Sequence, residues 1–253
     1  MNKTKIILSG VCGRMGKAVY EMACADPSCE IVCGVDICAG NASLPFPVYA
    51  GFSDINESAD VIIDFSHHSA VCDVLGYAKQ KRIPAVIATT GHDEEETALI
   101  EQSAQNIPVF YSRNMSIGIN LMISLAKKAA SVLGGSFDIE IVEEHHSKKL
   151  DAPSGTALMI ADAVRDTLDN GTSYVYDRHL DRKPRGKNEI GIHSVRGGSI
   201  VGEHEIIFAG QDEVFRIHHS AFSREVFAKG ALSAAMFLVG KDAGLYNMEH
   251  MLG

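Results

Sequence analysis

Short, uniformly apolar runs alternate along the first part of the chain with stretches whose apolar residues recur every three to four positions. "KIILSG", "EIVCGVD", "DVIIDFS", "PAVIATTG" and "IPVFYS" read as strands, and "RMGKAVYEMACA", "AVCDVLGYAKQKR" and "DEEETALIEQSAQN" read as helices. The strand runs do not alternate with polar residues, which is the pattern of strands covered by helices on both faces of a parallel sheet. Regular β-α-β order with short links predicts an α/β fold, a doubly wound parallel sheet with right-handed crossovers.

After "GINLMISLAKKAASVLGG", which reads as a helix, the period changes. "FDIEIVEEHH", "EIGIHSVRGG", "SIVGEHEIIFAG" and "EVFRIHHSA" place apolar and polar residues in turn, as strands do in a sheet with one covered and one more exposed face. Between them "SGTALMIADAVRDTL" has helical spacing, while "DNGTSYVYDRHLDRKPRGKN" is polar, turn-rich and reads as a loop. The final long helix, "SREVFAKGALSAAMFLVGKDA", is apolar enough to pack back against the first sheet.

Composition narrows the class. With 253 residues, 46% of them hydrophobic, the chain can bury a sizeable core without staples. A formal charge of -9 argues against a broad nucleic-acid surface, which needs an excess of Lys and Arg on one face. The six cysteines all fall in the first third and form no C-x-x-C pair, so they read as reduced, packed thiols. No run of about 18 apolar residues appears, and "MNKTKIILSG" is too brief an apolar run for a signal-peptide core. The expectation is a cytoplasmic protein with neither membrane nor nucleic acid as partner.

Gly10, Gly13 and Gly16 fall between the first strand and the first helix, and Asp36 lies twenty positions beyond Gly16 at the end of the second strand. In that setting glycines permit a tight turn and the close approach of a pyrophosphate. The helix N-terminus supplies N–H donors, and the acid accepts ribose hydroxyls. A tight turn without a ligand is the rival. A carboxylate at Asp36 favours a free 2′-hydroxyl, and Ile37 offers no guanidinium to a 2′-phosphate, so NADH is the favoured cofactor, with Arg14 keeping NADPH open. "ATTG" (88–91) and "SRNMSIG" (112–118) follow later strands, where ligands of such sheets bind, although helix capping would also account for them. The expected organisation is a Rossmann-type dinucleotide-binding domain over 1–114 and 222–253. A second α+β domain, with a mixed, largely antiparallel sheet, takes 115–221.

The stretch "EEHHSKKLDAPSGTA" (143–157) gathers proton carriers and anion binders. If the strand ran through both, His145 and His146 would face opposite sides of the sheet. Pro153, Ser154, Gly155 and Thr156 have the grammar of a helix start, whose N–H groups and positive dipole end invite an anion. Two contiguous histidines rarely chelate together and the lysines repel a cation, so no metal is expected. Taken alone, a solvated loop would explain "HHSKK". Following a nicotinamide-type domain, the cluster reads instead as a carboxylate clamp with a proton source, which is what a reductase site requires.

"GVCGRMG" and "EEHHSKKLDAPSGTA" together resemble the signatures of the 4-hydroxy-tetrahydrodipicolinate reductase (dihydrodipicolinate reductase) family of the diaminopimelate route to lysine. The likeness continues through "ATTG", "RNMSIGIN", "VRGGSIVGEHEIIFAG" and "SREVFAKGA", nearly the whole chain. The resemblance implies that His145 is the catalytic acid or base and Lys149 a proton donor, with His146, Ser154, Gly155 and Thr156 holding a small dicarboxylate substrate. It implies cofactor contacts from Gly10, Val11, Cys12, Gly13, Arg14, Met15, Asp36, Ala88, Thr89, Thr90, Arg113, Asn114, Met115 and Ser116. It further implies hydride delivery to C4 of a cyclic unsaturated imine, a proton to C3, loss of water along the way, and a homotetramer built through the second domain's sheet. The family often has glycine where this chain has Ala88, and Ser147 and Lys148 fill the freely varying positions of the second motif. Another nicotinamide-dependent reductase of small carboxylates, or a cofactor-sensing protein that kept the fold and lost the chemistry, stays open on the sequence.

Overall fold

Twelve strands, in chain order, are β1 (Thr4–Ser9), β2 (Cys29–Val35), β3 (Val48–Tyr49), β4 (Val61–Asp64), β5 (Ala85–Ile87), β6 (Pro108–Tyr111), β7 (Asp138–His145), β8 (Ser173–Val175), β9 (Glu189–Arg196), β10 (Gly202–Ala209), β11 (Val214–Ala221) and β12 (Gly244–Tyr246) in the computed structural model, which describes residues 3–41, 43–168, 171–179 and 182–253. The helices among these residues are α1 (Arg14–Ala25), α2 (Val71–Lys81), α3 (Glu94–Ser103), α4 (Ile117–Leu133), α5 (Gly155–Leu168), α6 (Glu225–Leu238) and α7 (Met248–Leu252). The chain divides into two units, Met1–Ile117 with Arg224–Gly253, and Gly118–Ser223.

In the first unit seven parallel strands run in the order β12-β6-β5-β4-β1-β2-β3, with the crossovers covering both faces. Successive residues of one strand therefore enter different cores. Ile6, Leu8, Ile63, Val86 and Phe110 pack with Val19 and Ala23 of α1 and with Ala231, Ala235 and Leu238 of α6. Ile7, Ile62, Ile87 and Val109 pack with Val74 and Leu75 of α2 and Ile100 of α3. Burying each large side chain contributes about 1.5–3 kcal/mol, which is why these strands carry no polar alternation. Helix α3 opens on a capping box: the Glu96 N–H donates to Asp93 Oδ1 at 2.8 Å and the Asp93 N–H to Glu96 Oε2 at 3.0 Å. Strands β3 and β12 and helix α7 are too short to show a period, and the apolar pattern does not announce them.

The second unit holds a five-stranded sheet in the order β11-β10-β7-β9-β8. Strand β10 is antiparallel to β7 and β11, whereas β9 is parallel to β7 and β8, so the mixed sheet divides its pairings evenly. Strand β8 falls inside the polar stretch that reads as a loop; three residues suffice to hydrogen-bond the β9 edge, and Tyr174 reaches Asp162 of α5 with its hydroxyl at 2.6 Å. Residues 169, 170, 180 and 181 of that stretch lie outside the described residues. Alternation sets the faces: Ile139, Ile141, Ile190, Ile192, Ile206 and Phe208 pack with α4 and α5 in one core. Continuing by twos along β7 and β10, that same covered face becomes polar at Glu143, His145 and His204. Among the described residues no helix is long and apolar enough to cross a membrane.

Candidate functional site

The glycine-rich turn needs its glycines. Gly10 has φ +78, and a Cβ there would lie 2.5 Å from the Phe65 carbonyl oxygen. A Cβ at Gly16 would collide with the Gly10 carbonyl. The Gly10 N–H donates to Val35 O at 2.8 Å and the Gly13 N–H to Gly10 O at 3.0 Å, folding the turn over the end of the sheet. Helix α1 then starts with no side-chain cap and no acidic residue in its first turn. Its N–H groups and positive dipole end are thus left to an anion.

Beside this turn is a cavity of about 600 Å³. It is lined by Arg14 and Met15, by Phe65, Ser66, His67 and His68 after β4, by Ala88, Thr89 and Thr90 after β5, and by Arg113, Asn114 and Met115 after β6. Arg224 and Phe227, at the start of α6, complete the wall. Three guanidiniums and two imidazoles face it, and no carboxylate does. Uncapped helix, glycine turn and cationic wall at the carboxyl ends of parallel strands all fit the pyrophosphate of a dinucleotide. The side chains of Val11 and Ser116 are buried away from this cavity, so those residues can offer it only backbone.

Asp36 braces the turn. Its Oδ2 accepts from the Cys12 N–H and its Oδ1 from the Cys38 N–H, both at 2.9 Å. Each carboxylate oxygen keeps a lone pair for a further donor such as a ribose hydroxyl. Burial, followed by the Asp36 charge, pushes the Cys12 thiol up, so it stays protonated and inert. A second carboxylate, Asp64, escaped the sequence reading. Fully buried at the end of β4, it accepts from Thr89 Oγ1 at 2.6 Å, Ser66 Oγ at 2.5 Å and the Ser66 N–H at 3.2 Å, tying two cavity loops together. The signal was available: "DFS" ends a strand of this sheet, the kind of position singled out for "ATTG".

In the second unit, β7 ends at His145, so His146 lies just past the strand. The His145 ring turns to the covered face and is 9% exposed, with Nδ1 2.5 Å from Glu143 Oε2. Glu143 is 0% exposed and heavily coordinated. Arg196 donates to both its oxygens, at 2.8 and 2.7 Å, and the Ser154 N–H donates to Oε1 at 3.1 Å. Burial alone would raise this carboxyl, but hydrogen bonds from Arg196, Ser194 and His145 outweigh it and bring it down to about 2. Burial lowers His145 despite the pull of Glu143, and the charges of Lys149 and Arg196 add to that, so the imidazole is neutral near pH 7.

The His204 ring meets His145 edge to face at 5.3 Å. Burial drives its pKa down to about 3, and Nε2 is 3.1 Å from Ser154 Oγ. Ser154 Oγ also accepts the Ala157 N–H at 3.1 Å, capping α5. Lys149 Nζ pairs with Asp151 at 2.9 Å, and the Lys149 N–H closes a turn on the His146 carbonyl at 3.1 Å. Gly155 is exposed at the first turn of α5, which contains no acidic residue, and Thr156 follows half-buried. His145, Ser154 and Lys149 are therefore brought together, and Glu143, Arg196 and His204 are the members that sequence reasoning did not name. Arg196 is invisible locally because it reaches the cluster only through the β7–β9 register, which pairs it with His145. Among the described residues no group of three or more side chains is arranged to hold a metal ion.

A neutral imidazole, an ammonium and a helix N-terminus can together bind carboxylates and move protons. Comparison with known proteins gives this chemistry its context. Residues 4–115 match the family model for the N-terminus of dihydrodipicolinate reductase, and residues 118–252 match the model for its C-terminus. The 4-hydroxy-tetrahydrodipicolinate reductase of Caldanaerobacter subterraneus subsp. tengcongensis is 54% identical over 98% of both chains. That of Clostridium tetani is 47% identical over 98% of this chain and 96% of its own. A solved structure of dipicolinate-bound dihydrodipicolinate reductase from Paenisporosarcina sp. TG-14 superposes with a TM-score of 0.82 at 25% identity, covering 97% of this chain and 98% of the other. With both halves matched and close relatives spanning its length, the chain belongs to the dihydrodipicolinate reductase family.

Proposed function

We propose that this protein reduces 4-hydroxy-tetrahydrodipicolinate, by way of dihydrodipicolinate, to tetrahydrodipicolinate in lysine biosynthesis through diaminopimelate. The observation that carries this reading is the cluster at the end of β7: a buried neutral His145, the Lys149 ammonium and the N-terminus of α5, joined through Glu143 and Ser154. A bound reduced nicotinamide supplies hydride to C4 of the ring. The turn residues Gly10 to Met15, with Ala88 to Thr90 and Arg113 to Ser116, hold that cofactor. Asp36 favours NADH through the ribose hydroxyls, and Arg14 at the cavity wall lets NADPH bind more weakly.

The substrate brings two carboxylates. His146, Ser154, Gly155 and Thr156 grip them through the α5 N-terminus and the flanking imidazole. Their negative charge favours the protonated form of His145, the form in which this acid or base gives a proton. As charge builds on the ring after hydride addition, Lys149 stabilises it and delivers the proton to C3. The cofactor role belongs to Met1–Ile117 with Arg224–Gly253, and the substrate role to Gly118–Ser223.

Two further assignments complete the reading. A homotetramer forms through the sheet of the second unit, whose edge strand β11 leaves Val214 and Phe215 exposed. The site of action is the cytoplasm, where the six unpaired cysteines stay reduced. The test is direct: with NADH and the product of the preceding synthase step, the NADH absorbance should fall, and it should not fall when other small unsaturated carboxylates replace that product. No loss of absorbance with either cofactor would end the assignment.

A further inference from the structure

Glu143 accepts more hydrogen bonds than its position in the core requires. Arg196 spans both oxygens as a fork, the Ser154 N–H takes one flank of Oε1, and His145 Nδ1 closes on Oε2. A buried ion pair is weak evidence for stability, because desolvating both partners offsets most of the attraction. What this pair does supply is orientation, since one carboxylate aligns the imidazole, the first residue before α5 and, through Arg196 Nη2 on the Asp151 carbonyl at 2.7 Å, the loop that carries Lys149.

We propose that Glu143, clamped by Arg196, is a positioning residue that fixes His145 with its proton on Nδ1, making Nε2 the atom through which this histidine gives or takes a proton. This rests on the acid–base reading of His145. An ionised carboxylate only accepts, so the nitrogen facing it must carry the proton, and a neutral ring then has a bare Nε2. Space on that side is kept by Gly202: a Cβ there would lie 3.1 Å from Nε2, close enough to crowd whatever approaches it. Around the ring the titratable and charged groups are Glu143 on its own strand, Arg196 on β9, His204 on β10 and Lys149 in the loop that follows β7. Of these only Glu143 favours the protonated ring.

The test uses the full chain labelled with ¹⁵N-histidine, with His145 assigned by comparison to His145→Gln. At pH 8 and without any ligand, the wild-type ring should show a protonated Nδ1 and a bare Nε2. Glu143→Gln should shift the proton toward Nε2 and lower kcat about 10- to 100-fold, with KM for NADH unchanged. The limb of the kcat–pH profile that belongs to His145 should move to lower pH, because its protonated form has lost its partner. Arg196→Lys, which keeps the charge and loses the fork, should move each readout the same way by less. A wild-type ring protonated on Nε2, or a Glu143→Gln protein with kcat within about twofold of wild type and an unmoved limb, would overturn the proposal. If Glu143→Gln does not fold, the wild-type spectrum and Arg196→Lys still decide. A wild type that shows the expected tautomer without turning over the substrate would sink the reaction while keeping the positioning role.

Discussion

The two units each bury one carboxylate at the polar end of an apolar strand, and they treat it differently. Asp64 in the parallel sheet is satisfied by neutral donors, the hydroxyls of Ser66 and Thr89 and a backbone amide. The cavity in that unit is lined by Arg14, Arg113 and Arg224 and by no carboxylate. Glu143 in the mixed sheet is instead paired with the Arg196 guanidinium and hydrogen-bonded to the neutral His145 ring. The first arrangement suits a receptor, since an anionic ligand would supply the negative charge the wall lacks. The second arrangement has its dipoles and charges already in place before any ligand enters, the condition under which electrostatic catalysis needs little reorganisation. Placement follows the same division, with the cationic cavity carried by loops at strand ends and the His145 cluster carried on a strand and the helix start it anchors.

The contrast can be broken most severely at Lys149. Lys149→Ala should lower kcat by roughly 10²- to 10⁴-fold while leaving the NADH dissociation constant, measured by calorimetry, near its wild-type value. Equal loss of turnover and cofactor affinity would erase the separation of roles. Gly10→Ala should do the reverse. Its left-handed backbone and the nearby Phe65 carbonyl leave no room for a methyl, so strain of about 1–3 kcal/mol should weaken NADH binding by roughly 10- to 100-fold or loosen the first unit.

Acid should give the smallest and most gradual effect, and it should sharpen the comparison. His204 drops from 6.5 to about 3 in the folded chain, and His145 is also lowered. Between those values the unfolded chain binds more protons, so this stabilisation is full above about pH 6.5 and is lost as pH falls toward 3. Glu143, brought from 4.5 to about 2, adds a loss that begins only below pH 4.5. Protection against hydrogen exchange, corrected for the intrinsic rate at each pH, should therefore fall in β10 between pH 6.5 and 5 more than in β1. An equal fall in the two sheets would show that the buried imidazoles are not the acid-sensitive part.

Much of this was legible from residue order. Uniform apolar runs against alternating ones separated the two sheets, because a strand covered on both faces and a strand covered on one must differ in period. Gly10, Gly13 and Gly16 announced their turn, and Pro153 to Thr156 announced the start of α5, since both depend on backbone rules that act within a few residues. The short strands β3, β8 and β12 were not legible, because two or three residues show no period and are held in place by an edge formed elsewhere in the chain. Asp64 was legible in principle, its strand end being the same kind of place as "ATTG".

By itself, then, the sequence determined the fold class, the glycine turn, the helix start beside His145 and the chemical types gathered at each site. Only the tertiary structure decided which groups hold those types in a working state. Arg196 is 53 positions from Glu143 and His204 is 50 from Ser154. Their hydrogen bonds exist because sheet register brings β9 and β10 beside β7. Local sequence sets what a side chain can donate or accept, but the partner it finds, and so the protonation state it keeps, is fixed by contacts between strands that the chain order does not reveal.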